Sequence, residues 1–195
     1  LSSITLLFIG YFITDAAQVS YWSIAMTAIV AVQALYSPIT NSLFPHMVKR
    51  KDFDILKKLL MVGMPVVLAG TIAFALLDNI IMLLLGGEEF MDGAYLIALL
   101  SPILFFSYPA QMLGTPVLAA VGRVRQMTAS SVTACLFQIG GLVILAVGGW
   151  FTIEAVAVLR CSCEAVLLGV RAYFTWRYFK EQEALGSNAP EGKAA

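Results

Sequence analysis

Apolar residues in this chain come in long blocks. They show neither the period-two alternation of a half-buried strand nor the one-sided stripe of a surface helix. Polar and glycine-containing turns divide them into six predicted helices, at about residues 1–14, 19–45, 59–85, 94–121, 127–147 and 153–176. The last five exceed the roughly 20 residues that a helix needs to cross a hydrocarbon core of about 30 Å. Their excess length predicts tilt or kinking. The first has only a short apolar run, residues 4–13, and reads as the end of a helix that starts upstream. On this reading the chain is a piece of a longer protein.

Prolines punctuate the blocks. Pro38 lies inside the second, and Pro45 is expected to end it. Pro102, Pro109 and Pro116 follow at intervals of seven in the fourth, along one helical face. Each removes a backbone donor and bends the axis, so Pro38, Pro102, Pro109 and Pro116 are candidate hinges. The third block carries Pro65, Gly63 and Gly70, and the polar pair Asp78-Asn79 about two turns from its end.

Charge placement orients the helices. The stretch HMVKRKDFDILKK (residues 46–58) contributes Lys49, Arg50, Lys51, Lys57 and Lys58, and GRVRQ (residues 122–126) adds two arginines. The positive-inside rule makes these turns cytoplasmic. With Arg160 set aside, every lysine and arginine then falls at an inner turn, an inner helix end or the C-terminal tail. The acidic turn GGEEFMDG (residues 86–93) lies outside. Trp22 and Trp150 are expected at the outer boundary and Trp176 at the inner one, as an aromatic belt. The C-terminus is cytoplasmic, and residues 181–195 are expected to be a disordered tail.

Composition strengthens this picture. Hydrophobic residues make up 60% and charged residues 12% of the 195, against about 25% charged in soluble domains. The mean hydropathy is +0.87. The expected fold is therefore an all-α, polytopic transmembrane bundle, with residues 1–180 as one helical lobe. Three irregularly spaced cysteines suggest neither a disulfide framework nor a zinc site. Cys161 and Cys163 point to nearly opposite sides of a helix. His46, the only histidine, is assigned no role. No metal, cofactor or nucleic acid is implied, and no G-x-x-x-x-G-K motif points to ATP.

The most informative charges are Arg160, Glu164 and Arg171, which spacings of four and seven place on one stripe of the sixth helix. Ionisable residues at membrane depth mark substrate or ion paths. Arg160 and Glu164 can equally pair for packing, and Arg171 can snorkel to the interface.

Several stretches resemble the polysaccharide-biosynthesis flippases, the O-antigen (Wzx-like) branch of the MOP exporter superfamily. The strongest is GYFITDAAQVSYWSIAMTAIVAVQALYSPITNSLFPHM, similar to that family's run of turn, long proline-bearing helix and proline-marked exit, with Ser20 where glycine is usual. LLLGGEEFMDGA is similar to its outer turn and LGTPVLAAVGRVRQ to an inner one. Glu164 stands where such proteins often carry a glutamate, although IEAVAVLRCSCE replaces the usual Gly-Ala-Ala run. The resemblance extends to about Lys180. It implies two six-helix lobes around a cavity, working by ion-coupled alternating access in the bacterial inner membrane, with this chain as the second lobe.

The implied partners are a lipid-linked oligosaccharide, the first lobe and membrane lipids, and the implied role is transport without catalysis. Arg160 and Arg171 would then help hold a lipid diphosphate, with Glu164 as proton-coupling or orienting group. Asp78 would be an ion site or a contact to the other lobe, unless it is simply hydrated at the outer mouth. Tyr21, Tyr36, Gln33 and Gln111 are candidate sugar-cavity residues or helix contacts. Three alternatives stay open: a multidrug exporter of the same superfamily, a membrane acyltransferase or polysaccharide polymerase, and a non-transporting assembly subunit.

Overall fold

A computed structural model describes residues 2–13, 15–50 and 53–187. Lys51, in the first basic turn, and residues 188–195 of the expected tail lie outside the described residues. The described part is all helical, without a strand. Its elements are α1 (Ser2–Phe12), α2 (Ala16–Ala34), α3 (Tyr36–Arg50), α4 (Phe53–Leu76), α5 (Asp78–Leu85), α6 (Tyr95–Leu100), α7 (Pro102–Leu113), α8 (Val124–Val147) and α9 (Ile153–Ser187). A 3₁₀ turn occupies Glu88–Gly93, and a π-helical segment, Gly114–Ala119, continues α7.

Four helical stretches are long and apolar enough to cross a membrane: Ala16–Lys49, Phe53–Leu76, Tyr95–Ala119 and Val124–Val147. The molecule is thus a membrane-associated, multi-pass helical bundle. Tyr95–Ala119 is mostly buried and forms its centre, whereas few residues of α4 are fully buried and much of its surface is exposed. The long α9 packs along α7 and α8. It has the length to span, but the charges from Glu154 to Arg177 are spaced so that every 18-residue stretch contains at least three.

The predicted kinks take three physical forms. At Pro38 the helix breaks: a proline there cannot donate to the Ala34 carbonyl, and the chain restarts as α3 after Leu35, whose amide turns back to the Val32 carbonyl at 3.0 Å. At Pro102 the break is repaired locally. The Ser101 hydroxyl donates to the Ala98 carbonyl (2.8 Å), the group that Pro102 leaves without its helical donor, and Pro102 then opens α7. At Pro116 the helix widens into the π turn instead of breaking. Pro45 departs from expectation. It sits inside α3, which runs on to Arg50, because a proline deletes one hydrogen bond and need not end a helix whose flanking residues favour it.

The break between α4 and α5 at Leu77 has no proline. There the Asp78 carboxylate accepts from the Asn79 backbone amide (2.6 Å) and side-chain amide (2.8 Å), competing with the helical ladder. Asp15 caps α2 by accepting from the Ala17 amide at 3.0 Å. Gly122, with φ +79°, closes the π segment. The Arg123 amide reaches back to the Leu118 carbonyl (2.7 Å) and the Gly122 amide to the Ala119 carbonyl (3.0 Å), a geometry that only glycine adopts cheaply.

The core falls into two blocks along the bundle. One gathers Ile9, Trp22, Ile29, Met82 and Leu100 toward the acidic end, the other Tyr36, Met47, Tyr108 and Met112 toward the basic end. Trp22 corrects an expectation: it is fully buried in the first block, where its large apolar area is better used against other helices than at an interface. Trp150 and Trp176 are exposed at opposite ends.

The tail expectation also changes. Residues 181–187 continue α9, so the helix reaches eleven residues beyond the expected end at 176. Contacts hold this extension at the basic end. Arg123 donates to Glu181 and lies 5.2 Å from the Tyr178 ring centroid, Arg177 donates to Glu181 (3.1 Å), and Phe53 packs edge-on against Phe179.

Candidate functional site

The fold brings Arg160 and Glu164 together and buries them. One turn apart on α9, they are 5% and 7% exposed, and an Arg160 Nη donates to a Glu164 carboxylate oxygen at 2.7 Å. The other donors of the guanidinium, Nε and Nη1, are buried without a hydrogen-bond partner among the described residues. The pair belongs to the helix that packs on both α7 and α8, so its charges lie inside the bundle and do not face lipid.

The α8–α9 register follows from two contacts. The Cys163 thiol donates to the Ala134 carbonyl at 3.2 Å, and Leu159 lies against Gly141. The helices are therefore antiparallel, and Gln138, between those two positions on α8, stands at the level of Arg160. Gln138 is fully buried. Its amide nitrogen donates to the Thr5 hydroxyl of α1 at 3.2 Å, while its carbonyl oxygen has no partner among the described residues. A polar layer thus crosses the bundle: Thr5, Gln138, Arg160 and Glu164. The sequence reading did not single out Thr5 or Gln138. The signal for Gln138 was its isolation in the apolar run ACLFQIGGLVIL, since a lone amide there has to find a partner inside the protein.

Arg171 shares the stripe but is engaged elsewhere. It donates to the Ala110 carbonyl of α7 (2.7 Å) and to the Ser130 and Ser131 hydroxyls of α8 (3.3 and 3.4 Å). Its guanidinium lies so close to Gly114 that an added Cβ would come within 2.8 Å of it. Arg171 therefore pins three helices together where α7 passes into the π segment, its guanidinium engaged by α7 and α8.

Asp78 sits at the start of α5 with its carboxylate turned to Asn79, and α5 packs on α2, α4 and α6. The structure does not join Asp78 to the α9 charges. Tyr36 is buried with its hydroxyl donating to the Leu104 carbonyl (3.3 Å), and Tyr21 packs edge-on with Phe90 over Gly93, so both act as helix contacts. Gln33 and Gln111 are half-buried and His46 is exposed. Among the described residues no three His, Cys, Asp or Glu side chains are grouped to hold a metal ion.

No family model, no curated protein and no solved structure matches this chain.

Proposed function

We propose that this bundle is one lobe of an ion-coupled exporter of the bacterial cytoplasmic membrane, moving a lipid-diphosphate-linked oligosaccharide by alternating access against a second lobe. On this reading α9 is a further span and α1 contributes the end of another. The basic turns and the C-terminus face the cytoplasm, and the protein carries its substrate without catalysing a reaction on it.

The observation that carries the proposal is the buried Arg160–Glu164 pair with two guanidinium nitrogens unpartnered. A buried ion pair stabilises no better than well-packed apolar residues of similar volume. Unpaired buried donors add about 1–3 kcal/mol of cost each, so a pair kept at such depth is a functional candidate.

Its chemistry suits coupling. Protonation of Glu164 removes the charge that neutralises Arg160, and the planar fork of the guanidinium is then released for a phosphate oxygen. Deprotonation restores the pair and ejects the anion. Arg171 acts here as an anchor and not as a substrate ligand. The broken central helix, Pro102 to the π segment, supports the same reading, because such breaks are where a packed helix can rearrange.

The test is complementation of a bacterial strain lacking its oligosaccharide flippase by the full coding sequence that contains this chain. Surface polysaccharide restored by the parent and lost in Glu164→Gln is the expected result. Good expression without restoration, or glycosyl transfer by the purified protein, overturns the proposal.

A further inference from the structure

Where α2 gives way to α3 and α4 to α5, the two broken helices stand apart and leave a slot of about 420 Å³. That volume is within the range of small-molecule sites, roughly 300–1,000 Å³. Leu35 and Tyr36 line it from one break and Leu77 from the other, with Gly70 and Thr71 of α4 between them. Both breaks were traced above to local chemistry, Pro38 and the Asp78-Asn79 bond, so the slot is written into the sequence.

We infer that this slot binds the hydrocarbon chain of a membrane lipid. The inference needs the membrane setting but not the transport reading. Three observations select this occupant. The walls offer almost nothing polar: the only side-chain heteroatoms are two hydroxyls, of which that of Tyr36 donates to the Leu104 carbonyl (3.3 Å) and that of Thr71 is buried without a partner. A water molecule needs two to four polar partners to stay in such a place, and a sugar or a phosphate needs more.

The slot also opens onto the exposed apolar surface of the bundle. Val66 and Leu35 line it and are 65% and 67% exposed, and Val66 stands one turn from the exposed Val62 on the same face of α4. A chain lying against that face can enter sideways without crossing a polar rim. Finally, Gly70 leaves the interior open, since a Cβ built there meets nothing within 4 Å.

The experiment places the 195-residue chain in nanodiscs containing a phospholipid with a mid-chain diazirine, followed by irradiation and residue-level mapping of the adducts. Adducts are expected on Thr71 and Phe74 inside the slot and on Met61 and Leu84 of the open surface. Gly70→Leu adds side-chain volume at a lining position where a Cβ meets nothing within 4 Å, and Ala73→Phe serves as an independent filler should the first fail to fold. Either is expected to lower the slot adducts at least five-fold while the Met61 and Leu84 adducts stay unchanged.

Slot adducts missing in the parent, or equally strong in both fillers, overturn the inference. So does a Thr71→Cys variant modified by a water-soluble maleimide, which would make the slot aqueous.

Discussion

Removing one partner of a buried ion pair strands a full charge and costs about 3–5 kcal/mol, whereas replacing both with apolar groups is often neutral. Arg160→Leu and Glu164→Leu should therefore each lower the thermal unfolding midpoint of the detergent-solubilised protein strongly. The double variant should return most of the loss. Additive losses in the double variant would show that the two side chains do not act as a pair. The spacing of four made this contact legible before any coordinates. Its surroundings were not legible. Whether Arg171 snorkels or turns inward depends on the Ala110 carbonyl and on Ser130 and Ser131, which stand on other helices. Likewise the partner of Gln138 is Thr5, 133 residues away, and no local pattern records that distance.

Helix contacts at the basic end yield two further tests. The Tyr108 hydroxyl donates to the Leu59 carbonyl at 3.1 Å and its ring lies directly over Gly63, so any Cβ there collides with it. Gly63→Val should destabilise by about 1–3 kcal/mol through overpacking. Combining it with Tyr108→Leu should recover part of that loss, which a thermal unfolding series would read as a coupling between the two sites. At the α9 extension, hydrogen bonds from Arg123 and then Arg177 hold the Glu181 carboxyl below its ordinary range. A depressed carboxylate contributes stability that is complete above the unfolded value, about 4.3 for glutamate. That contribution is lost as pH falls through the lower folded value. A nitroxide label at Ala184→Cys should thus be immobile at pH 7 and loosen below about pH 4.3, and Glu181→Gln should make it loose at both. A label equally immobile throughout, in parent and variant, would remove this link from the account. Prolines announced where the central helices would deform, but not how. Pro38 breaks, Pro116 widens and Pro45 is absorbed, because the outcome depends on what takes up the freed carbonyl. The break at Leu77 was missed, since Asp78-Asn79 looked like a site and acts as a helix breaker.

Across the whole molecule, the distribution of charge carries the argument about the membrane. Apolar blocks and turn residues were enough to anticipate an all-α multi-pass bundle, because in a bilayer nearly every helix has to be apolar along its length. The status of α9 is harder, since Arg160, Glu164 and Arg171 would together cost roughly 8–10 kcal/mol at about 2.5–3.5 each if left uncompensated at mid-membrane. The fold reduces that cost twice over, by pairing Arg160 with Glu164 and by setting Arg171 on a backbone carbonyl and two hydroxyls. If this compensation suffices, α9 crosses and its ends lie on opposite sides of the membrane. In a background with Cys135, Cys161 and Cys163 replaced, single cysteines can report the side directly. Glu89→Cys and Trp150→Cys should react with a membrane-impermeant maleimide in intact cells, and Arg125→Cys and Lys180→Cys only after lysis. Reaction of positions 150 and 180 from the same side would mean that α9 lies along the membrane or folds back. The buried polar layer at Arg160 would then no longer sit midway across the membrane, and both the coupling role of Glu164 and the six-helix lobe would fall with it.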